Sequence, residues 1–540
     1  MEQDWTPWPE EVAAEYRRAG YWRDQTLDAL LREGARRHGA RTALVSPSGR
    51  LDYAGLDARV DRLAAGLAAL PLHPGERVLV QLPNCEEYVT VLFALLRLGA
   101  VPVLVLPSLG RAEVVALARL SGAAAHVVAA GRGVRDPRLL AEETARACPT
   151  LRHVVVAGEP GADRHHGVAG LAASAGPVPE APPGRAEDPA LLLLSGGTTG
   201  VPKLIPRTHA DYGYNARASA EVCGLHGGSV YLAVLPAAHN FTMVSPGILG
   251  TVAAGGTVVL CPDPSPTTAF SLVEAERVTI TALVPALLPH WLDEAARTRR
   301  DLSSLEVLQV GGSRLDEATA RRVRPELGCR LQQVFGMAEG LNNYTPLDAP
   351  DDVVCTTQGR PLSPADEIRV VDEEDRPVPA GTPGELLVRG PYTLRGYYRA
   401  REQDAARFTP DGFYRTGDLV RRTADGDLVV VGRVKDQVNR AGEKVAAVEV
   451  EEHLLALPGV RAAAVVGAPD PHLGERTVAF VVTDGPCPPQ EQVRRALLER
   501  GLAPFKVPDE LRGLPSLPLT GIGKVDKKRL RELLADSPAP

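Results

Sequence analysis

The stretch ERVLVQLPNCEEYVTVLFALLRLGAVPVLVL, residues 76–106, is where the fold can be read. Its first seven residues, ERVLVQL, centre on the apolar run Val78-Leu79-Val80 and read as a buried strand. Asn84 then stands where a helix cap is expected, and residues 85–98 have the length and apolar density of a buried helix ending at Gly99. Val101–Leu106 repeats the buried-strand pattern. A strand, a helix and a second strand of this size make a crossover unit, whose two strands run parallel. Val89–Leu106 is apolar enough to suggest a membrane span, but Arg97, Gly99 and Pro102 interrupt it. The alternation recurs through TVVLC (257–261), SLVEAERV (271–278), TITALVP (279–285) and EVLQVGG (306–312). The expectation is an α/β fold with mostly parallel sheets.

A second pattern begins near Arg433, after the strand LVVVGR. VEVEEHLLAL and PQEQVRRALLERG read as helices, RAAAVVGAP and TVAFVVTD as strands, together a small α+β domain. A chain of 540 residues exceeds what one core organises. The expected division is a large N-terminal domain, 1–434, and a mobile C-terminal domain, 435–540. Residues 177–189, rich in Pro, Ala and Gly, read as a surface connection.

A hydrophobic fraction of 44%, a charged fraction of 24% and a formal net charge of -7 fit an ordinary globular enzyme. They offer no general attraction to nucleic acid or to an anionic membrane. The start, Met1-Glu2-Gln3-Asp4-Trp5, lacks a basic region and an apolar core, so no export signal is expected. The seven scattered cysteines contain no C-x-x-C pair and read as reduced thiols of a cytoplasmic protein.

The local signal with most chemistry is SGGTTGVPK, Ser195 to Lys203, directly after the apolar run LLLL. Gly196, Gly197 and Gly200 let the backbone turn tightly and expose N–H groups, while Ser195, Thr198 and Thr199 add hydroxyls that can meet phosphate oxygens. A Walker A loop needs Gly before its Lys and Ser or Thr after it; Lys203 instead sits between Pro202 and Leu204. The loop therefore reads as a phosphate cradle of another kind.

Four further segments follow in order: FGMAEG from Phe335, YRTGDL from Tyr414, GRVKDQVNRAGEKV from Gly432 and LTGIGKVDKK from Leu519. With the glycine loop they resemble the acyl- and aryl-adenylating enzymes over essentially the whole chain. HNFTMVSPG (239–247), QVFGMAEG (333–340) and NRAGEKVAAVEVEEHLLA (439–456) resemble in particular the stand-alone 2,3-dihydroxybenzoate-AMP ligases of siderophore pathways. The resemblance implies ATP as substrate and Mg²⁺ as cofactor, with Glu339 as the metal-holding carboxylate. It implies that Asp418 meets the ribose hydroxyls with Arg433 beside it. Gly311, Gly312, Gln333, Val334, Phe335, Gly336 and Met337 would border the nucleotide. Lys524 would reach the carboxylate and α-phosphate oxygens as charge builds. Lys435 would be the hinge about which the C-terminal domain turns, presenting Gly442, Glu443 and Lys444 to an incoming thiol. Lys527 and Lys528 read as solvated neighbours.

For the acid, the resemblance places His239 near the carboxylate and Asn240 at an ortho substituent. Ser245 would meet the adjacent ring hydroxyl, with Phe241 against the ring. Asn342 departs from the family pattern, which commonly has an apolar residue beside the ring, and a buried amide there requires a partner. 2,3-Dihydroxybenzoate, 3-hydroxyanthranilate and 3-hydroxypicolinate remain open as substrates; salicylate is less favoured because Ser245 would lose its partner. After Lys524 no Ser-bearing carrier segment follows, so the acceptor is expected to be the phosphopantetheine of a separate aryl carrier protein, or else CoA or a small amine or alcohol. A non-catalytic adenylate sensor and a kinase-like phosphoryl transferase are the competing classes.

Overall fold

The computed structural model describes residues 4–133, 136–173, 185–195, 203–440, 443–520 and 523–535. It divides into two compact units. The first comprises residues 1–355, 361–367 and 389–414; the second comprises 356–360, 368–388 and 415–540. The segment 435–540 thus falls inside the second unit, with most of the sheet that precedes it.

The crossover read from residues 76–106 is present. Strands Arg77–Gln81 and Val101–Leu104 pair in parallel, joined by helix Glu86–Leu98. Gly99 ends that helix at φ +70°, a left-handed conformation suited to glycine, and its N–H returns to the Leu95 carbonyl. Arg97 is tolerated in this buried helix because Asp28, Asp57 and Asp61 all bond its guanidinium. No helix among the described residues is long and apolar enough to cross a membrane.

These strands belong to a seven-stranded sheet running His165–Gly167, His153–Ala157, Ala125–Ala129, Arg77–Gln81, Val101–Leu104, Pro189–Leu194, Leu204–Thr208. It is parallel except for its last pair, a hairpin in which Leu194 faces Leu204. A second sheet runs from Asn342–Tyr344 through Arg330–Gly336, Val307–Gly311, Ile280–Leu283, Val230–Ala233 and Thr257–Leu260 to Thr42–Ser46 and Gly49–Asp52. It is parallel inside and antiparallel at both of these ends. Each sheet has its own core, one packed around Phe270 and Trp291, the other around Leu79, Val103 and Leu192.

Asn84 corrects one expectation. Cys85, not Asn84, occupies the cap position of helix Glu86–Leu98. The Asn84 amide instead donates to the carbonyls of Ala233, Leu235 and Cys261 and accepts from the Ala237 N–H at 2.7 Å. It ties the seven-stranded sheet to the loop that leads into His239, a long-range use of the donors and acceptor that also suit a cap.

In the second unit, strands Gln437–Arg440, Glu443–Ala446, Val460–Asp470, Gly474–Thr483 and Glu510–Gly513 form a five-stranded sheet with helices Ala447–Leu455, Gln490–Glu499 and Lys527–Ala535. Lys528 is exposed as expected, but Lys527 is not a solvated neighbour. Its ammonium lies 2.7 Å from the carboxylate of Glu451, a group that burial pushes toward its neutral form. An unpaired Glu451 would be costly here, so Lys527 is a structural partner.

Candidate active site

Two residues close the glycine loop. The Ser195 N–H bonds the Lys203 carbonyl at 2.9 Å, and the Lys203 N–H bonds Ser195 Oγ at 3.1 Å. Gly196, Gly197, Thr198, Thr199 and Gly200 lie outside the described residues, as does Gly442. The Lys203 ammonium rests 4.5 Å above the Tyr397 ring. Burial, followed by the Arg407 charge, lowers its proton affinity, against the opposing pull of Asp404 and Glu339. The Tyr397 hydroxyl donates to Glu339 Oε1 at 2.9 Å and meets the Tyr414 hydroxyl at 2.9 Å. Lys203 and Glu339 are therefore gathered around one tyrosine that no sequence motif singles out.

The Glu339 loop is held from below. The buried Arg207, paired with the buried Asp211 at 2.9 Å, donates to the carbonyls of Ala338 and Tyr392. Gly340 fits because a Cβ there would lie 2.5 Å from the Thr393 backbone.

Two of the acid-pocket candidates, Asn240 and Asn342, are hydrogen-bonded to one helix, His209–Val222. His239 caps the short helix Asn240–Val244, its Nδ1 accepting from the Phe241 N–H at 3.2 Å. A neutral imidazole in that position carries its proton on Nε2. Asn240 Oδ1 accepts from Tyr212 at 2.9 Å, and Asn240 Nδ2 takes no partner among the described residues. The Phe241 ring packs on Gly311, where a Cβ would come within 3.1 Å of it. Ser245 is buried and its Oγ makes no hydrogen bond of ordinary length, while the Tyr344 hydroxyl lies close enough to interact with it.

Asn342 does have a protein partner. Its Nδ2 donates to Asn215 Oδ1 at 3.1 Å, while its Oδ1 lies over Gly336, 2.0 Å from where a Cβ would sit. Among the described buried amides, Asn215 Nδ2, Asn343 Oδ1 and Gln309 Oε1 are the atoms left without a hydrogen bond. Gly311 pairs with Val334, Phe335 with Asn343, and Gly336 with Asn342. Gly312 follows at φ +89°. The Gln333 side chain is buried and donates to the Val354 carbonyl at 2.7 Å. The Met337 N–H donates to the Leu341 carbonyl at 3.1 Å, closing the turn that carries Glu339.

Below this wall sits a titrating group. Asp366 is half-buried with its carboxylate shielded from water, accepts from Tyr392 at 2.6 Å, and is pushed up to about 7 by that shielding. The same Tyr392 hydroxyl accepts from the Asn342 N–H at 3.3 Å. The unfolded carboxyl titrates near 3.8, so the folded chain holds a proton the unfolded chain releases. Stability from this group is full below that value and falls as pH rises toward 7. Asp366→Asn is expected to raise stability at pH 8 by a few kcal/mol, since each pH unit separating the two titrations is worth about 1.4 kcal/mol, and to change little at pH 4. Urea unfolding of both proteins at the two pH values checks this; equal differences would remove the titration.

In the second unit, Asp418 and Arg433 face each other across an antiparallel pair, with Arg433 Nε 2.8 Å from Asp418 Oδ1. Burial raises Asp418, and the charges of Arg433, Lys524 and Lys435 oppose it. Lys524 is fixed by a turn in which its N–H bonds Thr520 Oγ at 3.2 Å. Lys435 is exposed in a single 3₁₀ turn, Val434–Asp436. Glu443 is exposed on a strand whose partner is Arg440, and Lys444 pairs with Asn439. Among the described residues no cluster of three or more His, Cys, Asp or Glu can hold a metal. Glu339 is a single carboxylate beside Lys203, and one carboxylate completed by phosphate and water oxygens would suit Mg²⁺, so the residues present fit that ion.

The model of the AMP-binding enzyme family matches residues 31–398, and that of the AMP-binding enzyme C-terminal domain matches 449–524. The chain is 51% identical to the 2,3-dihydroxybenzoate-AMP ligase of Bacillus subtilis, covering 99% of this chain and 98% of that one. It is 50% identical to the salicyl-AMP ligase / salicyl-S-ArCP synthetase of Mycobacterium tuberculosis, over 99% and 95% of the two chains. Among solved structures, apo MbtA of Mycobacterium smegmatis is similar at 50% identity with a TM-score of 0.77, over 98% of each chain.

Proposed function

The chain belongs to the AMP-binding enzyme family, and from that premise we propose that it is an aryl acid-AMP ligase acting on a small 2-hydroxylated aromatic acid of the 2,3-dihydroxybenzoate type. The observation carrying the choice of acid is the pair Asn240 Nδ2, with no hydrogen bond from the described residues, and Ser245 Oγ, buried without one. Vicinal oxygens on a ring satisfy both, whereas an aliphatic acid leaves the buried Ser245 hydroxyl unpaired, at about 1–3 kcal/mol. With Asn240 Oδ1 already accepting from Tyr212, its remaining N–H groups favour an ortho oxygen over an ortho amine.

A carboxylate oxygen attacks the α-phosphorus of ATP, forming the acyl-phosphate bond as the bond to the β-phosphate oxygen breaks and pyrophosphate leaves. Lys203 neutralises phosphate charge, and His239 Nε2–H orients the acid carboxylate. Asp418, with Oδ1 engaged by Arg433, meets the ribose through Oδ2. Lys524 bridges the two reacting anions. Glu339 would hold Mg²⁺, which supplies charge neutralisation on the phosphates. Turning of residues 435–540 about Lys435 then brings Glu443 and Lys444 to the thiol of an aryl carrier protein. The sulfur attacks the acyl carbon, AMP leaves, and the thiol proton is released. The ArCP in the name of a 50% identical relative supports the carrier, and the CoA in the name of another 50% identical relative keeps CoA as the alternative acceptor. The cytoplasm, where scattered thiols stay reduced, is the setting that suits this chemistry.

Exchange of pyrophosphate into ATP, driven by 2,3-dihydroxybenzoate, 3-hydroxyanthranilate, 3-hydroxypicolinate, salicylate and a fatty acid, tests this reading. It expects a 2-hydroxylated aromatic acid to lead. Exchange led by the fatty acid, or ADP in place of AMP and pyrophosphate among the products, overturns it.

A further inference from the structure

We propose that Asn215 is a positioning residue for acid specificity, clamping Asn342 so that it presents a carbonyl, and that the acid therefore carries a third polar group, an N–H or O–H donor, on its ring. This rests on the assignment of the 240–245 wall to an aromatic acid.

Three residues on one stripe of helix His209–Val222, at 212, 215 and 219, each hold a different member of that wall. Tyr212 donates to Asn240, Asn215 accepts from Asn342, and Ser219 meets the Tyr344 hydroxyl at 3.0 Å, beside Ser245. Their spacing of three and four residues places them in a row on one helix face. Ser219 also donates to Asn215 Oδ1 at 3.1 Å, so that oxygen accepts twice and both its lone pairs are occupied. An acceptor filled this way demands a donor from Asn342, which turns the Asn342 amide nitrogen toward the helix. Asn342 Oδ1 is left over the bare Cα of Gly336, with no hydrogen bond from the described residues. A carbonyl so held accepts; turning the amide to donate breaks its bond to Asn215 unless the Asn215 amide turns with it, and that turn gives up the Ser219 hydroxyl's bond to Asn215 Oδ1. A ring donor completes it, and an apolar substituent at the same position leaves it unmatched.

The test compares 2-hydroxybenzoates that carry an amino group or its near-isostere, a methyl group, at each remaining ring position. The readout is the ratio of kcat/KM values in pyrophosphate exchange within a single protein, which the amount of folded enzyme does not alter. At one position the amino acid is expected to exceed its methyl isostere by about tenfold or more. Asn215→Ala, or Asn215→Ser should the first fail to fold, is expected to bring that ratio to within about threefold of unity. In an Asn342→Val background, Asn215→Ala is expected to change the ratio no further. Equal use of amino and methyl acids at every position by the unaltered enzyme overturns the proposal, as does a ratio that survives loss of Asn215. Exchange with none of these 2-hydroxy acids is a different result: it sinks the aromatic-acid reading, and this inference with it.

Discussion

Lys524→Ala is expected to lower aryl-AMP formation by about 10²–10³-fold while leaving nucleotide binding largely intact. Two anions must meet in the adenylation step, and a cation placed where their charge accumulates stabilises the transition state more than either bound substrate. Lys524 lies in a turn fixed by paired bonds to Thr520 and near enough to Asp418 to influence its titration. Loss of its side chain leaves the Asp418–Arg433 pair in place, so the ribose contact proposed for Asp418 is expected to persist. The loss therefore belongs in kcat, with KM for ATP changing less. Single-turnover formation of aryl-AMP, beside AMP binding by calorimetry, separates the two. Unchanged turnover would assign the role to another cation, and a matched loss of AMP binding would make Lys524 a binding residue.

The parallel α/β body was legible because its strands are covered on both faces and written as unbroken apolar runs. Strand Arg77–Gln81 and helix Glu86–Leu98 follow the pattern of residues 76–106 closely. The hairpin closing the glycine loop was legible only on its first side, since Leu204–Thr208 contains Pro206 and a buried Arg207. Edge strands tolerate such residues, and this strand ends its sheet.

The supports of the site were hidden for a different reason. Helix His209–Val222 is buried around most of its circumference and shows no apolar stripe to mark a face. Tyr212, Asn215 and Ser219 look like ordinary helix residues until their partners, 28, 127 and 125 residues away, are brought alongside. Asn342 reads from sequence as a buried amide requiring a partner, but only folding identifies that partner as Asn215. Asn84 and Lys527 teach the same lesson in reverse. Each has a local role suggested by its neighbours, a cap and a solvated cation, and each is claimed by a more distant group.

The ion pair under the Glu339 loop carries the largest expected effect on stability. Arg207 and Asp211 are almost wholly shielded from water, one turn apart, and Asp211 also accepts from the Thr208 N–H and hydroxyl at the start of the helix. Burial alone would push Asp211 toward its neutral form; Arg207 and the Thr208 bonds oppose that. Asp211→Ala removes the counter-charge together with the carboxylate half of the capping box that Thr208 begins, and strands a guanidinium in the interior. Breaking one side of a buried pair typically destabilises by about 3–5 kcal/mol. Arg207 also holds the carbonyls of Ala338 and Tyr392, so the stranded group would loosen the loop carrying Glu339 before the whole unit unfolds. Urea unfolding of Asp211→Ala is expected to show that loss, and hydrogen exchange to show faster opening at residues 338–341. Replacing both partners with apolar residues of similar volume should recover much of the global stability, because no charge is left unpaired. The exchange protection of the loop should not return, since its carbonyls still lack their donor. Recovery of both would mean that Arg207 supports the fold but not the loop.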